Sequence, residues 1–176
     1  MSDTFRGEFN QKVDAKARVS VPAVFRRALE AGDPNHPSSP RPRMVLVYGG
    51  DDRAFCEAFT ILGMRRVEAR IRRMKIGDRR RIYLQRNMIT LSQEIEVDDD
   101  GRIVLPPKAR ERMGLTADAM RDGAEATFAG MLDSFQIWYR PVYDGDLASQ
   151  PALAREILPE GEDMSSLLPD DDDEGG

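Results

Sequence analysis

The chain is poor in the residues that most protein chemistry uses. Among 176 residues there is one cysteine, Cys56, and one histidine, His36. A lone cysteine excludes an internal disulfide and fits a reducing compartment. Cys56 reads as a small buried hydrophobe. A lone histidine makes neither a metal site without further ligands nor a nucleophile–base set with Cys56. No apolar run reaches the ~18 residues of a membrane span, and no apolar segment follows Met1, so neither membrane insertion nor export is expected. There is no phosphate loop, no dinucleotide glycine fingerprint and no Cys/His zinc spacing. Asp98, Asp99 and Asp100 carry the charge for Mg²⁺, but adjacent strand residues do not converge on one point. The expectation is a protein that is not an enzyme and takes no cofactor or metal.

What is present is charge, unevenly spread. Charged residues make up 32% of the chain and apolar residues 40%, enough for a small core in one or two domains. The net charge of −5 is an average over two unlike halves. Residues 1–97 hold 19 Lys and Arg against 12 Asp and Glu, or +7; residues 98–176 hold 7 against 19, or −12. Such asymmetry marks nucleic-acid contact combined with an acidic tail.

A repeated motif organises the sequence. Asp14-Ala15-Lys16-Ala17-Arg18-Val19-Ser20-Val21-Pro22, followed by Arg26, and Asp98-Asp99-Asp100-Gly101-Arg102-Ile103-Val104-Leu105-Pro106, followed by Arg110, both read Asp-x-x-x-Arg-x-x-x-Pro-x-x-x-Arg at one offset of 84 residues. Each unit predicts a turn holding the Asp, a short apolar strand, and a helix opened by Pro22 or Pro106 at its first position. Asp four residues before Arg suits a carboxylate that holds the guanidinium or the N–H groups of the turn. Arg26 and Arg110 follow the helix starts and read as structural.

The rest of each unit also repeats. Met44–Tyr48 and Arg53–Phe59 predict a hairpin turning at Gly49-Gly50, matched by Ala126–Phe128 and Ser134–Trp138 around Gly130. Residues 33–42, with four prolines, predict an irregular surface loop that contains His36. Between the units lie two expected helices. The first runs from Ile61 to Ile76 with an apolar stripe at Met64, Val67, Ile71 and Met74; the second runs from Asp78, as cap, to Met88. Residues 65–86 carry ten basic side chains. They read either as a solvated face paired with acidic neighbours or as part of a DNA-facing field. Pro141–Leu147 is a candidate helix. Residues 159–176 hold eight acidic and no basic residues and are expected to be disordered. Tethered to a basic surface, such a tail can compete with phosphate for the same side chains.

The doubled motif, together with Phe5-Arg6-Gly7-Glu8 and Phe135-Gln136-Ile137-Trp138, resembles the MraZ family of bacterial regulators of the division and cell wall gene cluster. The resemblance covers roughly residues 4–145. It departs at Lys16-Ala17-Arg18, where the family usually has Lys-Gly-Arg; if that glycine needs positive φ, Ala17 is strained. The resemblance implies an α+β, β-rich chain of two tandem AbrB-like modules (swapped-hairpin, double-psi-like). Pseudo-twofold symmetry relates them and two helices link them. It places a first module at 5–60, a helical connector at 61–90, a second module at 91–145 and a disordered acidic tail at 159–176. It also implies a ring-shaped homo-oligomer on short direct repeats in a promoter, a repressive role, and a cytoplasmic, nucleoid-associated location.

The candidate DNA-binding residues are Arg6, Lys16, Arg18 and Arg102, supported by Asp14 and Asp98. A strand-borne ribbon can enter the major groove and present Arg to guanine O6 and N7, while Lys serves phosphate. Arg102 sits among three aspartates, which favours a structural ion pair there. A contrasting reading is a structural or protein-interaction ring that binds no specific DNA.

Overall fold

The computed structural model describes residues 4–171, which fall into two compact units, the first ending at Val142 and the second beginning at Tyr143. The first is a mixed α+β unit built on an antiparallel sheet. In chain order it contains β1 (Glu8–Lys12), β2 (Arg18–Ser20), α1 (Ala23–Ala31), β3 (Arg43–Val47), β4 (Phe55–Phe59), α2 (Ile61–Arg72) and α3 (Arg79–Leu84), then a π-helical turn at Gln85–Thr90. There follow β5 (Ser92–Glu96), β6 (Arg102–Val104), α4 (Pro107–Met113), α5 (Ala117–Arg121), β7 (Glu125–Gly130) and β8 (Phe135–Tyr139). The chain continues through α6 (Arg140–Ala148), α7 (Gln150–Ile157) and a short 3₁₀ turn at Met164–Leu167. The tail expected to be disordered, 159–176, includes residues 172–176, which lie outside the described residues.

The six-stranded sheet runs β1-β7-β8-β4-β3-β5, and β2 pairs with β6 in a separate ribbon. Read through the internal repeat, β1 corresponds to β5, β7 to β3 and β8 to β4, so the strand order is a palindrome. The first strand of each half therefore pairs with the hairpin of the other half: β1 with β7, and β5 with β3. The hairpins meet at β4–β8, where Phe55 faces Trp138 and Ala58 faces Phe135. Neither half closes a sheet alone, in keeping with the small core that ~50 residues can bury.

The ribbon obeys the same symmetry. Val19 faces Ile103, its equivalent at the 84-residue offset, and Arg18 and Ser20 face Val104 and Arg102. The Val21 amide donates to the Gly101 carbonyl and the Leu105 amide to the Ala17 carbonyl, each at 2.9 Å. These paired bonds lock the motif turns to one another.

The two faces of the sheet are covered differently. Strand alternation sends Met44, Leu46, Cys56 and Ala58 to the main core, where they join Val19 and Ile103 of the ribbon, Phe25 and Leu29 of α1, and Ala109 and Met113 of α4. Five phenylalanine rings knit this core: Phe25 lies 5.3 Å from Phe5, 5.4 Å from Phe9 and 4.9 Å from Phe135, and Phe128 lies 5.9 Å from Phe135. Val47, Phe59 and Met64 form a smaller cluster with Val67 of α2 and Met88 of the π turn.

Local signals explain most boundaries. Thr60 caps α2 by accepting from the Gly63 amide at 2.8 Å, and Asp78 caps α3 by accepting from Arg80. Pro22 and Pro106 occupy the capping positions, one residue before the first helical position, with ψ of 138° and 151°. Pro107 then takes the first helical place and holds Pro106 extended. The second connector helix is shorter than its pattern predicts, because the backbone widens at Gln85–Thr90. That turn brings Asn87 Oδ1 to the Gly50 amide at 2.9 Å and packs the Asn87 backbone on Gly49. In the 33–42 loop, the buried Asp33 carboxylate accepts from Arg43 Nε and Nη2 at 3.0 and 2.7 Å and from two backbone amides.

Candidate nucleic-acid interface

The two motif turns share one geometry. In the first, Asp14 Oδ1 accepts from the Lys16 and Arg18 amides at 2.9 Å each, and Oδ2 accepts from Arg18 Nε at 2.7 Å. The Asp14 amide donates to the Arg18 carbonyl at 3.0 Å. The Arg18 amide, then the Arg18 guanidinium and the Lys16 amide, hold the Asp14 carboxyl below its ordinary pKa. In the second turn, Asp98 Oδ1 accepts from the Asp100 and Arg102 amides, both at 2.9 Å. The residue before each arginine is left-handed: Ala17 at φ 62° and Gly101 at φ 76°. Ala17 thus carries the strain its glycine-like position implies, and its methyl group is fully buried.

Shared geometry carries opposite charge. Lys16 in the first turn corresponds to Asp100 in the second, and Ala15 to Asp99. Arg102 is paired with Asp100 at 3.1 Å and lies 3.8 Å from Asp98. Asp99 is clasped by Arg41, whose Nε and Nη2 donate at 3.0 and 2.9 Å and hold the Asp99 carboxyl below its ordinary pKa. The second turn is therefore an acidic site, compensated by Arg102 within it and by Arg41 from the 33–42 loop. The first exposes Lys16 and pairs Arg18 with Asp14 among the described residues; the Arg18 and Arg102 side chains are accessible to similar degrees, 38% and 33%.

The structure brings Lys16, Arg18 and Arg102 into one region. Val19 and Ile103 point into the core, so Arg18, Ser20, Arg102 and Val104 share the outward face of the ribbon. Val104, opposite Arg18, is 54% exposed, a neighbour that the sequence reading did not single out. Arg6 stands apart. It follows the buried Phe5, which bridges to Leu132, and β1 separates it from the Lys16 turn by roughly 17 Å of extended strand. Arg26 rests against Gly101 and donates to the Val21 carbonyl at 3.2 Å, while the Arg110 Nε is buried.

The lone cysteine and histidine have their own surroundings. Burial pushes the Cys56 thiol up to about 12, and its sulfur lies 3.5 Å from the Ala109 carbonyl oxygen. His36 Nε2 is 3.9 Å from a Glu30 carboxylate oxygen. Among the described residues no group of three or more His, Cys, Asp or Glu side chains is placed to hold a metal, and no helix is long and apolar enough to cross a membrane.

The chain matches a family model described as "MraZ protein, putative antitoxin-like" over residues 88–150. It is 56% identical over 168 residues to a protein of Cereibacter sphaeroides named transcriptional regulator MraZ, covering 96% of this chain and 97% of that one. A Ruegeria pomeroyi protein of the same name is 42% identical over 168 residues, covering 96% of each chain. The chain belongs to the MraZ family. Membership extends across the first motif turn, which the matched residues 88–150 do not reach but the full-length MraZ relatives do.

Proposed function

We propose that the chain is a sequence-specific, DNA-binding transcriptional regulator, repressive in sign, that acts on division and cell wall genes. The turn at Asp14–Arg18 is its DNA-facing element. Arg18 reads a base edge, Lys16 holds phosphate, Asp14 orients Arg18, and Asp98 shapes the second turn. Arg102 contributes less than Arg18, and Arg6 adds a phosphate contact from the far end of β1. The observation that carries this reading is the charge reversal between two turns of one geometry: Lys16 beside Arg18 in the first, Asp99 and Asp100 beside Arg102 in the second. The names of the relatives support the regulatory role.

In the same reading the two halves are tandem AbrB-like, swapped-hairpin modules at 5–60 and 91–145, joined by a helical connector at 61–90, with 159–176 as an acidic tail. The palindromic strand order, with first strands exchanged between halves, supports it. One chain supplies two to four cations, few for tight binding at physiological salt. A ring-shaped homo-oligomer presenting several such turns to short direct repeats raises apparent affinity through effective concentration. The protein then works in the cytoplasm at the nucleoid, without metal, cofactor or catalysis.

The test is a mobility-shift titration, across salt, on the duplex upstream of the chain's own gene. Fragments with several repeats should bind far more tightly than fragments with one. Equal affinity for both, or no preference for this duplex over random sequence, would favour a protein-interaction assembly instead.

A further inference from the structure

The connector helices carry a charge pattern that neither the motif turns nor the core requires. Residues 61–90 hold ten basic and two acidic side chains. A solvated face balanced by acidic neighbours would pair most of those cations. Among the described residues only Arg72 and Arg80 reach a carboxylate, Glu68 at 3.8 Å and Asp78 at 3.1 Å. Arg81 instead donates to the Met74 carbonyl at 2.6 Å.

Their placement on α2 is ordered. Ile61, Met64 and Ile71 are buried, and on a 100° wheel the opposite face carries Arg66, Ala69, Arg70 and Arg73, all exposed. Arg66, Arg70 and Arg73 stand at i, i+4 and i+7 and span ~10 Å of helix axis. Like charges at this spacing disfavour an isolated helix, so the stripe is not explained by helix stability. Duplex DNA presents about six phosphate charges over ~10 Å of its own axis. Three guanidiniums suit such a row, and the short Ala69 between them lets a backbone approach closely.

We propose that the outward face of α2, centred on Arg66, Arg70 and Arg73, is a second, sequence-independent binding surface for the phosphate backbone of duplex DNA. It rests on the reading of the chain as a DNA-binding protein and adds a site on different elements from the β2–β6 ribbon. Its role is to hold the protein on flanking or random duplex while the motif turns select the sequence.

The experiment compares the full-length protein with Arg66→Ala/Arg70→Ala/Arg73→Ala and with the corresponding triple Lys variant. Binding to a random-sequence duplex is measured from low to moderate salt. Loss of three phosphate contacts should reduce the slope of log K against log salt by about 2.7 and lower low-salt affinity at least tenfold; the Lys variant should retain the slope. Far-ultraviolet circular dichroism and the thermal midpoint report folding. Each single Ala variant should remove about 0.9 of slope, which keeps the test open if the triple variant fails to fold. An unchanged slope in the Ala variants overturns the surface. So does a loss of binding to anionic phosphatidylglycerol vesicles with none to DNA, which would assign the stripe to membranes. If wild type binds no duplex at all, the proposed function fails as well; an unchanged slope with intact Arg18-dependent operator binding removes only this second site.

Discussion

Arg18 Nε donates to Asp14 Oδ2 at 2.7 Å, while the other oxygen of that carboxylate holds the Arg18 and Lys16 amides. One side chain therefore shapes the turn and aims the guanidinium that the turn displays. Exposed ion pairs of this kind contribute ~0.2–1 kcal/mol, so the value of the pair lies in orientation more than in stability.

Asp14→Asn tests that division. Asn keeps an oxygen for the two amides and loses the charge. The thermal midpoint should fall by only a few degrees, the shift expected from ~0.5–1 kcal/mol. Affinity for random duplex should rise, because a negative charge leaves the interface, while the operator-to-random ratio should fall roughly two- to fivefold per engaged turn. A ratio unchanged in a competition assay would show that Asp14 does not position Arg18.

Gly101 faces a steric limit that Ala17 escapes. A Cβ at Gly101 would lie 2.0 Å from Arg26 Nη1, and the residue sits at φ 76°. Gly101→Ala should destabilise the protein by about 1–3 kcal/mol through strain and displacement of Arg26. Urea unfolding measures it, and a change below a few tenths of a kcal/mol would mean that Arg26 moves freely.

Gly49→Ala should cost about as much or more. The added Cβ would sit 2.0 Å from the Asn87 carbonyl oxygen, which is backbone and cannot swing aside. The variant should lower the urea midpoint, with a loss of about 1–3 kcal/mol, and expose the amides of the π turn to hydrogen exchange. Unaltered exchange at Asn87 would contradict the packing described.

The motif turns were legible because the determinants are local: an Asp, a left-handed position and an Arg recur within five residues, and the same spacing gives the same hydrogen bonds from backbone amides to the carboxylate. Asp78 as a helix cap was legible for the same reason. The exchange of β1 and β5 between halves was not, since a strand's pattern names its buried face but not its partner. The π turn at Gln85–Thr90 depends on Asn87 meeting Gly49 and Gly50, residues far away in sequence. Asp33 reads as one more loop acid beside Pro34 until Arg43 folds over it. The separation of Arg6 from the turn likewise becomes visible only once β1 is laid out between them.

Asp33 also sets a pH dependence. Bonds from the Arg43 guanidinium, and then from backbone amides, hold its carboxyl below the ordinary value near 3.9. A depressed folded-state pKa gives stability that is fully present above the unfolded value and lost as pH falls through the folded one. The thermal midpoint should thus decline as pH drops below about 4, and Asp33→Asn should be less stable at neutral pH, with a shallower acid decline. Parallel midpoint curves for the two proteins would rule out this contribution.

The most direct measurement compares Arg18→Ala with Arg102→Ala in a mobility-shift titration on the upstream duplex at fixed salt, with circular dichroism confirming that both are folded. The two arginines share one ribbon face and equivalent turns and differ in the charge around them. Arg18→Ala should lose ~1–3 kcal/mol per engaged turn, multiplied across the turns of an oligomer until specific binding disappears, while Arg102→Ala should stay within a fewfold of wild type. Loss of binding in Arg102→Ala with Arg18→Ala unaffected would contradict the assignment of the first turn as the DNA-facing element.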